Sequence, residues 1–493
     1  VIRLIKGSRS SIRGKQPAAL PLSRAILITS GKRLARWFGF RLLFPLAAFL
    51  VFGQALEAQS ISAEEYAKRR SAVIGRMDSG SVAVFLAGTS KNRSNDVDFE
   101  FVQDKNFLYL TGYPDPGAIL FLSKEEFKRD GQPTHAILFV PPSNPLTEQW
   151  VGKHMSELEA RTRLGFTSTS TTNGFRAFID SVLKTHSRLY YDPRISILTT
   201  DKVLDVRLRT GREFRKAVST RHPGLTMKSA LRLVAGLRAR KSPAELRLMQ
   251  KAINATVDAH LEAFRSAEPG MFEYELEAVI EYCFRRKGCD GPAFPSIVGS
   301  GPNSTTLHYE KNTRRMRKGD MVVMDIGAEY EGYSADVTRT IPVSGVFRPE
   351  QRELYEIVLR AREAALAAVK PGVRFSELTN AAMEVISAAG FGKYFNHSVS
   401  HHLGLDTHDP VGYGPLREGN VITIEPGIYI PEGANVDRKY WNIGIRIEDD
   451  VLVTKDGYEI LTRELPVEID AIEAIMAQEG IGNLPAGREK GIR

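Results

Sequence analysis

Residues 322–340 read VVMDIGAEYEGYSADVTRT, and the way this stretch folds back on itself decides the architecture around it. Both flanks are rich in β-forming Val, Thr and Ile, and Tyr330-Glu331-Gly332 between them has turn chemistry. A hairpin follows. It sets Asp325 and Asp336 across from one another, since they are symmetric about the turn to within one residue. Opposed carboxylates on paired strands repel, and packing them among Val and Met adds a desolvation cost. A divalent cation converts that conflict into a ligand set. Two solvated aspartates flanking a surface hairpin are the plain alternative, because Asp is common beside turns.

Moving outward, two more carboxylates occupy apolar, strand-like runs. Glu425 lies in VITIEPGIYI (421–430), and Glu448 lies in IGIRIEDDVLV (443–453) with Arg446 two positions earlier on the same face. A glutamate among β-branched residues on a buried strand is usually paired or metal-bound; a structural Arg446–Glu448 ion pair is the simpler option. Five of the ten histidines are His308, His397, His401, His402 and His408. His397 and His401 share a face if NHSVSHH is helical, and an extended or loop path serves equally well. Any one of them alone reads as a satisfied core histidine. Clustered beside carboxylate pairs, they suggest an oxygen-rich centre with one imidazole, which suits Mn²⁺, Co²⁺ or Zn²⁺ better than a closed thiolate site. Two such ions about 3.5–4 Å apart can share a hydroxide that is nucleophilic near neutral pH. His308, His397, His408 and Arg446 are then candidates to orient a scissile carbonyl and stabilise its oxyanion.

The remaining chain narrows the class. At 493 residues two domains are the natural prior. The formal charge of +9 resides in one place, because residues 1–58 carry ten Lys/Arg and one acid, leaving 57 of each sign elsewhere. That neutral remainder argues against nucleic-acid binding. Lys32, Arg33, Arg36 and Arg41 precede the apolar run Leu42–Phe52 and then Gly53-Gln54-Ala55, the layout of a secretory signal peptide. The run is too short for a membrane span, which takes roughly 20 residues, and an organelle transit peptide is the rival address. Cys283 and Cys289 are expected as unpaired thiols.

Residues 61–238 alternate short apolar strands with helical spacing and imply a self-contained α/β domain. A second domain opens at Ser242-Pro243-Ala244-Glu245, a capping box, and extends over 239–470 with further helices near 272–287, 349–369 and 375–389. The pattern fades past about 475, so 471–493 is expected to be a frayed tail.

These segments, in this order, resemble the pita-bread metallopeptidases and within them the Xaa-Pro aminopeptidase (aminopeptidase P) family. The C-terminal motifs SGPNSTTLHY, MDIGAEYEGYSADVTRT, HHLGLDTHD, EPGIYI and GIRIEDD carry the likeness, with YAKRRSAVIGRM, RSNDVDFEFVQDKNFLYLTGY and QWVGK in the N-terminal part. The resemblance implies an α/β (α+β) chain, an aminopeptidase P-like N-terminal domain followed by a pita-bread catalytic domain. It implies Asp325, Asp336, His401, Glu425 and Glu448 as ligands of two divalent ions, Mn²⁺ by family preference. It makes His308, His397, His408 and Arg446 substrate and transition-state contacts, with Tyr429 near a proline pocket and Glu425 doubling as proton shuttle. Peptides with proline second are the implied substrates, and a dimer or tetramer is the implied assembly. Leu108 departs from the pattern, standing where relatives often carry an aromatic. Prolidases share the domain pair and the ligands, and creatinase-like proteins keep the fold without metal. Methionine aminopeptidases share the ligand order but lack the N-terminal domain.

Overall fold

The computed structural model describes residues 60–192, 211–412 and 414–483. The leader expected over 1–58 lies outside these ranges, as does the end of the chain from 484.

Six strands form one mixed sheet in the N-terminal part: β1 (Ser81–Leu86), β2 (Ile119–Arg129), β3 (Gln132–Val140), β4 (Thr169–Thr171), β5 (Arg188–Tyr191) and β6 (Thr226–Ser229). Their spatial order is β4-β3-β2-β1-β5-β6, antiparallel from β1 to β3 and parallel at both flanks. The strands read as continuous apolar runs because both faces are covered. Val82, Val84, Phe121 and Phe139 point to one layer, closed by Phe175 and Ile179 of a short helix. Ala83, Phe85, Leu120 and Leu138, one residue out of phase, point to the other. That second layer also holds Leu248, Met249, Tyr333, Leu403 and Val421 from the C-terminal part, so a single hydrophobic cluster spans both halves.

The long helix α1 (Pro243–Ser266) begins with the expected capping box, Ser242 accepting from the Glu245 amide and Glu245 from that of Ser242. It packs with α2 (Glu273–Arg286) against the strands that build the site. Of these, β7 (Met321–Ile326) and β8 (Val337–Pro342) are the two arms of the opening hairpin. The turn is Glu331-Gly332, both residues at positive φ, as a two-residue type I′ loop requires. Here the structure corrects the expected register. Asp325 faces Thr338, not Asp336. Asp336 sits two residues along, a diagonal neighbour on the same face.

The other pair of ligand-bearing segments behaves alike. Val421–Ile424 (β9) and Gly427–Ile430 (β10) belong to different sheets, as do Ile443–Arg446 (β11) and Asp449–Val453 (β12). Glu425 and Glu448 fall at the two strand breaks, where the backbone leaves one ladder for the next. The tail also differs from expectation. Helix Ile469–Met476 buries Ile469 and Ile472, and Asn483 Nδ2 donates to the Ser266 carbonyl at 3.1 Å, so order persists past 471. An eight-residue helix with two buried side chains leaves too weak a periodic signal to read. Both cysteines are free thiols. Among the described residues no helix is long and apolar enough to cross a membrane.

Candidate metal centre

Backbone pairing delivers the ligands to one place. The Glu448 amide donates to the Thr338 carbonyl at 3.0 Å, and Thr338 Oγ1 donates to Glu448 Oε2 at 2.6 Å, docking the β11–β12 break onto the hairpin arm opposite Asp325. Residues 397–402 form an irregular loop with a single bridge, His402 to Ile422, so the helical option for His397 and His401 is not realised. The amides of Glu425 and Thr423 donate to the carbonyls of Val399 and His401 at 2.8 and 3.0 Å, laying this segment beside the Glu425 break. Donor atoms of Asp325, Asp336 and Glu448 consequently lie within 4.8 Å of one another, as do those of His401, Glu425 and Glu448. A third such group is Asp336, His401 and His408, which brings His408 closer to the ligand cluster than the sequence suggested.

A cavity of about 320 Å³ opens on this cluster, and the expected ligands and contacts line it except Tyr429; of the five clustered histidines only His402 stays out of the lining. Tyr429 joins from behind. Arg446 Nη1 donates to its hydroxyl at 2.9 Å, and the hydroxyl lies 2.9 Å from His397 Nε2. Because His397 Nδ1 is 2.9 Å from the Ser398 carbonyl, it carries the proton in the neutral ring, and Nε2 accepts from Tyr429. Burial first, then Arg446, holds the His397 pKa down at about 4, so the ring is neutral at ordinary pH. Burial likewise pushes the Tyr429 hydroxyl up to about 12. The simple Arg446–Glu448 pair is absent among the described ion pairs; Arg446 Nη2 meets Asp325 Oδ2 at 2.5 Å instead.

The carboxylates are in electrostatic conflict. Burial, followed by repulsion from Asp325, raises Asp336 well above the usual carboxylate range, and burial followed by Asp336 does the same to Glu448. Glu425 is raised too, chiefly by burial. Two observations show that cations fit here. Asp325 Oδ1 is buried without a hydrogen-bond partner. His401 Nδ1 is 3.1 Å from the His402 carbonyl, so in the neutral ring Nε2 turns its lone pair toward Asp336 Oδ2 (3.3 Å) and Glu425 Oε1 (3.5 Å). Three acceptors facing one another call for positive charge between them, and a divalent cation supplies it without protonating the carboxylates. Hard oxygen donors with a single imidazole suit two divalent cations.

Sequence reading missed Asp450. Buried behind Asp336, it accepts that residue's amide at 3.2 Å, and burial raises its pKa well above the carboxylate norm. Its signal was available: it follows Glu448 by two positions, in phase with it on an apolar strand. Asp449 between them does different work. Burial alone would raise it, but Arg339 and Arg362 hold it at about 2.

The matches to known proteins agree with this geometry. Residues 247–455 match the model of metallopeptidase family M24, and residues 66–190 match the aminopeptidase P N-terminal domain. The Xaa-Pro aminopeptidase of Haemophilus influenzae is 35% identical over 84% of this chain and 97% of its own length. The chain belongs to the aminopeptidase P group of family M24. Human Xaa-Pro aminopeptidase 3 is 34% identical, over 85% of this chain and 87% of that protein. Among solved structures, Escherichia coli aminopeptidase P with the inhibitor Pro-Leu aligns with a TM-score of 0.75 at 34% identity, covering 85% of this chain and 99% of that one. A Zn-substituted form of that enzyme in complex with product gives a TM-score of 0.75 at 32% identity. The expected architecture, an aminopeptidase P N-terminal domain followed by an M24 domain in a mixed α/β chain, holds.

Proposed function

We propose that this chain is a dinuclear metal-dependent Xaa-Pro aminopeptidase, which removes the N-terminal residue that precedes proline. The observation that carries this reading is the convergence of Asp325, Asp336, His401, Glu425 and Glu448 on one cavity, with the Arg446–Tyr429–His397 chain along its wall. Relatives at 34–35% identity bear that activity in their names.

Bound divalent cations supply Lewis acidity, polarising the scissile carbonyl and acidifying a water to near-neutral pKa. The protein's own groups do the rest. Glu425, on the cavity wall, takes a proton from the attacking water and returns it to the proline nitrogen, which has no hydrogen of its own. His308 and His408, both on the cavity wall, donate N–H groups to the oxygen that gains charge. Arg446 and Tyr429 fix the neutral His397 ring in one tautomer, ready to contact the bound peptide. The oxygen-rich donor set favours Mn²⁺, and Zn²⁺ or Co²⁺ are chemically admissible substitutes. The basic stretch and apolar run of the leader support export through a membrane, and the family resemblance supports assembly as a homo-oligomer.

Steady-state kinetics with added Mn²⁺ on Xaa-Pro-Yaa tripeptides, Xaa-Pro dipeptides and Xaa-Ala-Yaa controls test the reading. Tripeptides should be cleaved at the Xaa–Pro bond with the highest kcat/KM, and controls should be poor substrates. Strict preference for dipeptides would replace the aminopeptidase by a prolidase.

A further inference from the structure

The segment 401–409 carries both His401 and His408, whose rings lie 4.1 Å apart between centroids, and it has no regular secondary structure of its own. Something must hold it to sub-ångström tolerance, since a displacement of about 1 Å at a catalytic group can cost about 10²-fold in rate. Its backbone is closed by the Asp409 amide donating to the His402 carbonyl at 2.9 Å, and anchored by the Ser334 amide donating to the Gly404 carbonyl at 2.8 Å. Gly404 allows this closeness, because a Cβ there would come within 2.5 Å of Asp409 Oδ2 and 2.9 Å of Lys241 Nζ.

Asp409, the residue after His408, is buried and doubly paired. Its Oδ1 accepts from Arg238 Nη2, and its Oδ2 accepts from Lys241 Nζ at 3.1 Å. Arg238 is 2% exposed and ends a helix, Leu231–Arg238, that lies between the two family matches. Its Nη2 also reaches Asp406 Oδ2 at 2.5 Å, while Nη1 donates to Asn106 Oδ1 at 2.8 Å. Asn106 belongs to helix Lys105–Thr111 of the N-terminal domain and donates in turn to Asp192 Oδ2 at 3.3 Å. One guanidinium plane thus bonds the N-terminal domain on one side and the histidine-bearing loop on the other. A buried ionic group adds little net stability against an apolar replacement, but removing one partner strands the other charge, and the planar fork of Arg bonds in two directions where Lys cannot.

We infer that Arg238 and Asp409 are positioning residues: the chain Asn106–Arg238–Asp409 transmits the frame of the N-terminal domain to His408 and sets where its ring meets the substrate carbonyl. The inference rests on the assignment of His408 as a transition-state contact. It gives the N-terminal domain a part in the chemistry beyond its own folding.

The test is a double-mutant cycle on an Xaa-Pro tripeptide. Arg238→Lys should lower kcat by about 10- to 100-fold, with KM changed by less than about 3-fold and Mn²⁺ binding by titration calorimetry unaltered. In a His408→Ala background the same substitution should cost less than about 3-fold further, because the ring it positions is gone. Asn106→Ala, which leaves every charge in place, should reproduce the pattern more weakly and serves if Arg238→Lys folds poorly. Equal losses in both backgrounds, or none in either, would overturn the tether. A fully active His408→Ala enzyme would instead overturn the assignment of His408, and the tether would lose its object.

Discussion

The proposed mechanism gives Glu425 two duties that usually fall to different residues, metal ligand and proton carrier, and its two oxygens are placed to serve both. Its Oε1 lies 3.5 Å from His401 Nε2, while Oε2 lies 3.7 Å from His397 Nδ1, so the two oxygens face different groups. Replacing it by Gln keeps one oxygen for coordination and removes the acid. Glu425→Gln should lower kcat on an Xaa-Pro tripeptide by about 10²- to 10⁴-fold with little change in KM. Metal content measured on the same preparation decides the cause; activity fully restored by excess Mn²⁺ would mean the residue is a ligand and nothing more. Residues like Glu425 were legible in the sequence because a carboxylate inside a β-branched run is costly and demands a reason. Thr338, which hydrogen-bonds both Glu448 and Arg446, was not legible, because a threonine in a strand needs no reason at all.

At the scale of elements, the hairpin that carries Asp325 and Asp336 depends on Gly327. A Cβ there would stand 1.9 Å from the Ala335 carbonyl oxygen, a clash with backbone that no rotamer can relieve. The mirror position of Asp336 across the Glu331-Gly332 turn is this glycine, given that Tyr330 pairs with Tyr333 and Asp325 with Thr338. Gly327→Ala should therefore pry the arms apart where the two aspartates converge, destabilising the fold by about 1–3 kcal/mol and weakening Mn²⁺ binding. Thermal melts of the chelated protein and a Mn²⁺ titration separate the two effects; an unchanged metal affinity would show that the hairpin absorbs the strain elsewhere. The hairpin itself could be read from residue types, and so could the shared face of its aspartates. Their exact opposition could not. An error of two residues in register leaves side chains on the same face, whereas an error of one would have moved Asp336 to the other side of the sheet. Pro426-Gly427 announced the strand break after Glu425, whereas the break at Glu448 escaped, since EDD interrupts the ladder without interrupting the apolar pattern.

Across the whole molecule, the cluster running from Phe85 and Leu120 to Leu403 and Val421 ties the N-terminal sheet to the strands of the metal centre. That join was the least legible feature, because apolar residues announce burial but not their partners. It couples the stability of the chain to the charge state of the site. In the metal-free protein Asp336 and Glu448 have pKa values well above their ordinary 3.8 and 4.5, and Glu425 is raised above 4.5, primarily by burial. A folded-state pKa above the unfolded one means that the folded protein binds those protons more readily. The resulting stability is fully present below the unfolded values and is lost as pH rises through the folded ones. Divalent cations take over as counter-charge, and their own binding strengthens as the ligands deprotonate. Saturating metal at about 100 times its Kd stabilises by about 2.7 kcal/mol. The difference in Tm between Mn²⁺-loaded and chelated protein should therefore be small near pH 5 and widen steadily toward pH 8. Calorimetric melts at three pH values with and without chelator measure it. A gap that stays constant or narrows over that range would mean that the four carboxylates find their counter-charge within the protein, and that the metal centre inferred from Asp325 and its neighbours is not what balances them.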